Sequence, residues 1–229
     1  MRDLQRLVGV AKRVALFTSM LWVLLALGPA LPFEPVARLG LYPRELAHLH
    51  GVLTAPLVHG SIYHLAANTP PLFVLGTAML YSVPRASRIA LPLIWITSGI
   101  GVWLFGRASF HVGISGLTHG MMFFLLLIGL LRRDRTSIAL AMIVSFLYGG
   151  MVWGVLPQGG GISFEYHLAG ALAGLACAWW LCSADPLGGR RLYEPIAEPP
   201  TDEDDPVIGD LWREPHRPAS HSAEHDPPA

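Results

Sequence analysis

Charged side chains are scarce in this chain. Asp, Glu, Lys and Arg make up 14% of its 229 residues, against 52% apolar, whereas soluble domains carry about a quarter charged residues. That scarcity points to a chain whose body lies in lipid rather than in water. Cysteine is nearly missing, with only Cys177 and Cys182 present. Five residues apart on one apolar helix, they face different sides, which argues against an internal disulfide and leaves two small core residues. No patch of basic residues suits a nucleic acid. The basic residues fall instead in short clusters between apolar runs, the pattern that encodes membrane orientation. A His-Glu-x-x-His zinc signature is also missing, although His48, His50, His59, His64, His111, His119 and His167 lie in the body. Metal hydrolysis and metal transport are therefore disfavoured, and no metal or other cofactor is expected.

The charge that is present is unevenly placed. Residues 1–183 carry a net charge of +7 and residues 184–229 a net charge of −7. The last segment holds nine prolines and the acidic run Thr201–Asp205, the composition of a disordered acidic tail. Upstream, six apolar runs approach the roughly 20 residues a spanning helix needs: Val14–Leu31, Pro56–Leu80, Ile89–Phe105, Ile114–Leu131, Ser137–Val155 and Ser163–Leu181. The first follows Arg2, Arg6, Lys12 and Arg13, which is also the form of a signal peptide. Its length and the poor cleavage site near Gly28-Pro29-Ala30 favour a retained span. Pro70-Pro71 should kink the second run. The expected organisation is a cytoplasmic N-terminus over 1–13, a six-span all-α body over 14–183 and a cytoplasmic tail over 184–229. With the N-terminus inside, eleven of the Lys/Arg close to the spans fall on the inner side and three on the outer side, so both termini are expected in the cytoplasm. The loop Pro32–Ala55 is long for a membrane hairpin, and reads either as short interfacial helices or as a partly ordered connector.

That orientation starts the second, fourth and sixth helices at the outer face, where the chemistry-bearing groups concentrate. Ser115 lies in Gly113-Ile114-Ser115-Gly116, at the mouth of the fourth. There its hydroxyl is close to backbone N–H groups without intrahelical partners, and Gly113 and Gly116 allow close approach. Taken alone, it reads more readily as a helix cap flanked by packing glycines. His167, near the start of the sixth helix, supplies the imidazole that would activate it. Gly116 and Gly120 on one helix, and Gly170 and Gly174 on the other, form small-xxx-small faces that would bring the two together. On the second helix His64 and Asn68 are four apart and share a face, where both offer uncharged donors to an oxyanion. His59 is a candidate for an assisting or structural role. His119, one turn below Ser115, is placed to pack against or bond to His167.

The stretch from Val58 through His59 and His64 to Asn68, then Gly113-Ile114-Ser115-Gly116, then His167-Leu-Ala-Gly170 through Gly174, resembles the rhomboid family of intramembrane serine proteases. The resemblance covers about residues 14–183. It implies a Ser115–His167 dyad with no carboxylate member, and an oxyanion hole of the Ser115 N–H with the side chains of His64 and Asn68. It implies substrates that are single-span membrane proteins, reaching the site from lipid between the second and fifth helices of a bacterial plasma membrane. A rhomboid-like protein that binds transmembrane helices without cutting them is the rival reading. Three departures from the family pattern stand out. His50-Gly51 lies where many members have Trp-Arg, His119 replaces an aromatic residue four after the serine, and Pro70-Pro71 follows Asn68. The oligomeric state is not legible.

Overall fold

The structure, a computed structural model, describes residues 1–157, 159 and 161–186. Every regular element among them is helical. The six long helices are α1 (Arg2–Leu27), α4 (Ile62–Ser82), α5 (Pro84–Phe105), α6 (Ser115–Arg132), α7 (Arg135–Tyr148) and α8 (Phe164–Leu181), with two short ones, α2 (Pro35–Leu39) and α3 (Gly51–Thr54), between α1 and α4. The segment between α1 and α4 is thus ordered into helical turns, the first of the two readings of that loop in its local structure.

Among the described residues, four segments are long and apolar enough to cross a membrane: Arg2–Ala30, Pro84–Phe105, Ser115–Arg132 and Arg135–Val155. Apolarity therefore supports four of the six expected spans. The other two helices, α4 and α8, carry His64, Asn68, Pro70 and Pro71, and Glu165, Tyr166, His167 and two glycines. The same residues that make these helices chemically interesting dilute their hydropathy.

Several boundaries differ from the sequence reading, each for a local reason. The first helix begins at Arg2, not Val14, so the basic N-terminal segment is itself helical. The helix expected from Pro56 begins at Ile62. Ala55–Leu57 form a separate 3-10 turn around Pro56, and the Ser61 hydroxyl accepts the His64 N–H at 3.1 Å, capping α4. That helix continues through Pro70 and Pro71 to Ser82. The fifth run is α-helical only to Tyr148, and Gly149–Val155 tighten into a 3-10 helix that begins at the Gly149-Gly150 pair.

The centre of the bundle is α6, buried along nearly its whole length from Ser115 to Met122 and onward at Phe124, Leu125, Ile128 and Gly129. Its contact with α8 is a backbone contact. A Cβ added at Gly170 would lie 2.0 Å from the Gly116 carbonyl oxygen, and one at Gly174 would lie 2.1 Å from that of Gly120. A Cβ on Gly116 would meet the Tyr166 ring at 2.1 Å, and one on Gly120 the Ile94 side chain at 2.2 Å. Only glycine permits this crossing, and it brings the N-terminal turns of α6 and α8 side by side.

At the opposite end of α6 a buried polar knot joins three helices. The Arg132 Nε donates to Asp134 at 3.3 Å, and its other nitrogens donate to the carbonyls of Asp185 at 3.3 Å and Pro186 at 2.7 Å. Asp134 caps α7 through the Ser137 N–H and hydroxyl at 3.1 and 2.6 Å. Burial pushes its carboxyl up, but the hydrogen bonds from Ser137 and the Arg132 guanidinium outweigh burial and hold it below its ordinary value. The Asp185 carboxylate accepts the N–H groups of Arg85 and Ala86 at 2.9 and 2.8 Å, capping α5 from a hundred residues away. Through these contacts residues 184–186, at the start of the expected tail, are bonded to the helices of the body. The remainder of the expected tail lies outside the described residues.

Candidate active site

Ser115 is the first residue of α6, and His167 the fourth of α8. The glycine crossing sets the His167 Nε2 at 2.9 Å from the Ser115 Oγ. The other ring nitrogen, Nδ1, lies 2.9 Å from the Gly154 carbonyl oxygen. A carbonyl can only accept, so Nδ1 carries the proton and Nε2 is bare toward the hydroxyl. The imidazole is thus held in the tautomer that can take a proton from Ser115. Gly154 belongs to the 3-10 segment after α7, and a Cβ there would stand 3.2 Å from His167 Nδ1 and 2.8 Å from His119 Nε2.

His119 stacks flat on His167, with ring centroids 3.9 Å apart and planes 8° from parallel. Its Nδ1 donates to the Ser115 carbonyl at 2.8 Å, an acceptor shared with the Thr118 hydroxyl at 2.9 Å. Of the two contacts offered for His119, packing against His167 is the one that forms. Three residues therefore meet at one point: Ser115, 7% exposed, His119, 5% exposed, and the partly exposed His167.

The second helix supplies the opposite wall. His64 packs its ring under Gly113, whose φ is +106° and where a Cβ would fall 2.5 Å from the ring. That site requires glycine on both counts. One turn deeper, the Asn68 Nδ2 donates to the His64 carbonyl at 2.9 Å, and the side chain is 6% exposed. His59 sits behind the loop rather than in the opening. Its Nε2 accepts the Ile114 N–H at 3.3 Å, while the Gly113 N–H bonds the Ala55 carbonyl at 2.9 Å. The strand of backbone entering Ser115 is fixed to the segment before α4 by these two bonds. By helix geometry, the first N–H groups of α6, that of Ser115 included, have no carbonyl one turn earlier to bond.

Sequence reasoning missed the Gly154 carbonyl, because a backbone acceptor has no side-chain signature. It also gave no role to His111, which lies buried in the loop before Ser115. Burial lowers the pKa of that imidazole, with the Arg107 carbonyl and Glu165 opposing and the Arg107 charge reinforcing the shift. Among the described residues no group of three or more His, Cys, Asp or Glu is placed to hold a metal ion.

The family description Rhomboid domain matches residues 46–184, the span that contains every element of this site. The chain is 39% identical over 155 residues to uncharacterised proteins of Mycobacterium bovis and Mycobacterium tuberculosis, covering 64% of this chain and 65% of theirs. It is 39% identical over 163 residues to an uncharacterised protein of Mycobacterium leprae, covering 66% of this chain and 63% of that one. The chain therefore matches somewhat less than two thirds of the length of these relatives. With a Rhomboid domain matched over more than half of its length, the chain belongs to the rhomboid family.

Proposed function

We propose that this chain is an intramembrane serine endopeptidase that cuts single-span membrane proteins in or near their transmembrane segment. The observation that carries this reading is the 2.9 Å contact between the His167 Nε2 and the Ser115 Oγ, with Nδ1 committed to Gly154. A hydroxyl is a weak nucleophile until a base takes its proton. As Oγ attacks the scissile carbonyl carbon, its proton passes to His167 Nε2 and the carbonyl electrons move onto oxygen. The resulting oxyanion is met by the N-terminal N–H of α6, a ring N–H of His64 and the second N–H of the Asn68 amide, whose first is held by the His64 carbonyl. Collapse breaks the C–N bond, and His167 gives its proton to the leaving amine. Water then repeats the sequence on the acyl-enzyme, with His167 again as base and the Ser115 oxygen as leaving group. Uncharged donors suit the setting, since they cost less to bury than a cation.

His59, Gly113 and the glycine pairs serve as supports in this reading. The chain is an integral membrane protein with both termini on the cytoplasmic side of a bacterial plasma membrane, and the site opens outward. The test is co-expression with a single-span substrate. Wild type should release a cut product that Ser115→Ala and His167→Ala do not. A phosphonate probe should label Ser115 only when His167 is intact. Identical products from wild type and Ser115→Ala would overturn the reading in favour of a helix-binding protein without catalysis.

A further inference from the structure

Outside the dyad, one buried imidazole makes more polar connections than packing alone explains. His111 is 1% exposed. Its backbone pairs with Leu41 in an isolated antiparallel bridge, with N–H to carbonyl distances of 2.8 and 3.0 Å. Its side chain reaches two further segments: Nε2 lies 3.1 Å from the Arg107 carbonyl, and Nδ1 lies 2.5 Å from the Ser163 hydroxyl. The carbonyl can only accept, so Nε2 carries the proton and Nδ1 is bare. Ser163 must then donate its hydroxyl proton to Nδ1. The same oxygen accepts the Tyr166 N–H at 3.4 Å as the cap of α8.

We infer that His111 is a positioning residue that fixes Ser115 relative to His167 by tying the loop before α6 to the cap of α8. His111 precedes Ser115 by four residues, and Ser163 precedes His167 by four. Both bonds therefore span a sequence separation of 52, and the His111–Ser163 bond is a second rung beside the dyad rung. The glycine crossing fixes the two helices on the far side of the dyad, and this rung fixes them on the near side. Without the imidazole, Ser163 loses its acceptor and the Arg107 carbonyl loses a donor, both at a partly buried site. A reactive pair needs that restraint because a misplacement of about 1 Å costs on the order of a hundredfold in rate.

The inference rests on Ser115 and His167 being the reactive pair, and the experiment separates the two. Steady-state cleavage of a single-span substrate in detergent is measured for wild type, His111→Ala, His111→Asn, Ser163→Ala and the double alanine variant, with phosphonate labelling of Ser115 and thermal melting in parallel. His111→Ala and Ser163→Ala should each lower kcat on the order of tenfold to a hundredfold with KM little changed, and should slow labelling by the same factor. The double variant should lose clearly less than the product of the two single losses, since the His111–Ser163 bond is absent from all three, while the Arg107 bond and the α8 cap each go with one residue. His111→Asn, whose Oδ1 can take the place of Nδ1 as acceptor, should recover most of the loss. Singles within about threefold of wild type, or losses that multiply in the double variant, would overturn the positioning role while leaving the dyad intact. Ser163→Ala removes one oxygen, so it decides the matter if His111→Ala does not fold. An inert and unlabelled wild type would overturn the dyad itself.

Discussion

Gly170→Ala offers the most direct test of how the site is assembled. The added Cβ would lie 2.0 Å from the Gly116 carbonyl oxygen, with that residue's carbonyl carbon at 2.7 Å. A relaxed carbon–oxygen contact is about 3.3 Å, so the two helices must part locally by roughly 1.3 Å. Neither atom can yield by a rotamer change, because one is a Cβ and the other is backbone. Gly116 adjoins Ser115, and Gly170 is three residues from His167, so the displacement falls almost directly on the 2.9 Å dyad contact. Transmitted in full, it stretches that contact past 4 Å, beyond hydrogen-bonding reach. A loss of about a hundredfold in kcat is expected, with a destabilisation of about 1–3 kcal/mol from overpacking.

The control is Gly9→Ala in α1, where a Cβ meets nothing within 4 Å. It should leave activity unchanged and stabilise its helix slightly, since alanine is the better helix former by about 1 kcal/mol. Cleavage of a single-span substrate, normalised to folded enzyme from thermal melts, reads both. If Gly170→Ala keeps kcat within threefold of wild type, the crossing does not set the dyad distance and the reasoning fails.

Three further outcomes are expected. Asn68→Ala should lower kcat by about a hundredfold to a thousandfold, the usual cost of one oxyanion donor, with phosphonate labelling slowed in parallel; an unchanged rate removes Asn68 from the site. Gly154→Ala places a methyl 3.2 Å from His167 Nδ1, and should lower kcat tenfold or more while substrate KM holds, measured in the same assay. Asp134 is held below its ordinary value by Ser137 and Arg132 despite burial, so its contribution to stability is complete above about pH 4 and lost as the pH falls through the depressed value. Asp134→Asn should therefore melt below wild type at pH 7, and the gap should close in acid; a gap independent of pH refutes the linkage.

Much of the site is legible in the sequence because its parts are side chains in apolar surroundings. A serine, two histidines and an asparagine near helix starts are conspicuous in runs of Leu, Val and Ile. The Gly116/Gly120 and Gly170/Gly174 spacings announce a close crossing before any coordinates are seen. What is not legible is work done by backbone or by contacts between remote segments. The Gly154 carbonyl selects the tautomer of His167 but shares its residue type with twenty-three other glycines. Asp185 looks like the first residue of an acidic tail, and only the fold brings it to the start of α5. His111 reads as a loop residue until Ser163 is placed beside it. The displaced start of α4 has the same origin: hydropathy marks where a run is apolar, whereas Ser61 and Pro56 decide where the helix can begin.

The two side chains of the proposed dyad are held in unequal ways. Ser115 stands on α6, which is buried almost throughout, and its loop is bonded to Ala55, to His59 and, through His111, to Leu41. The α8 backbone that carries His167 is locked to α6 by glycine contacts. The proton placement on His167, however, depends on Gly154, at the end of a segment of very different character. In α7 only Ser137 and Val144 are buried, and Met142, Ile143, Phe146 and Leu147 are exposed. That helix packs on α6 along one side and leaves most of its surface outside the core. The dyad distance is therefore set by the buried crossing of α6 and α8, while the tautomer is set by the 3-10 segment that follows a largely exposed helix. A displacement of α7 that carried Gly154 away would leave Ser115 and His167 within reach of each other but free the Nδ1 proton, so that Nε2 need no longer be the bare nitrogen. In this arrangement, basicity toward the serine is tied to the seating of one outer helix.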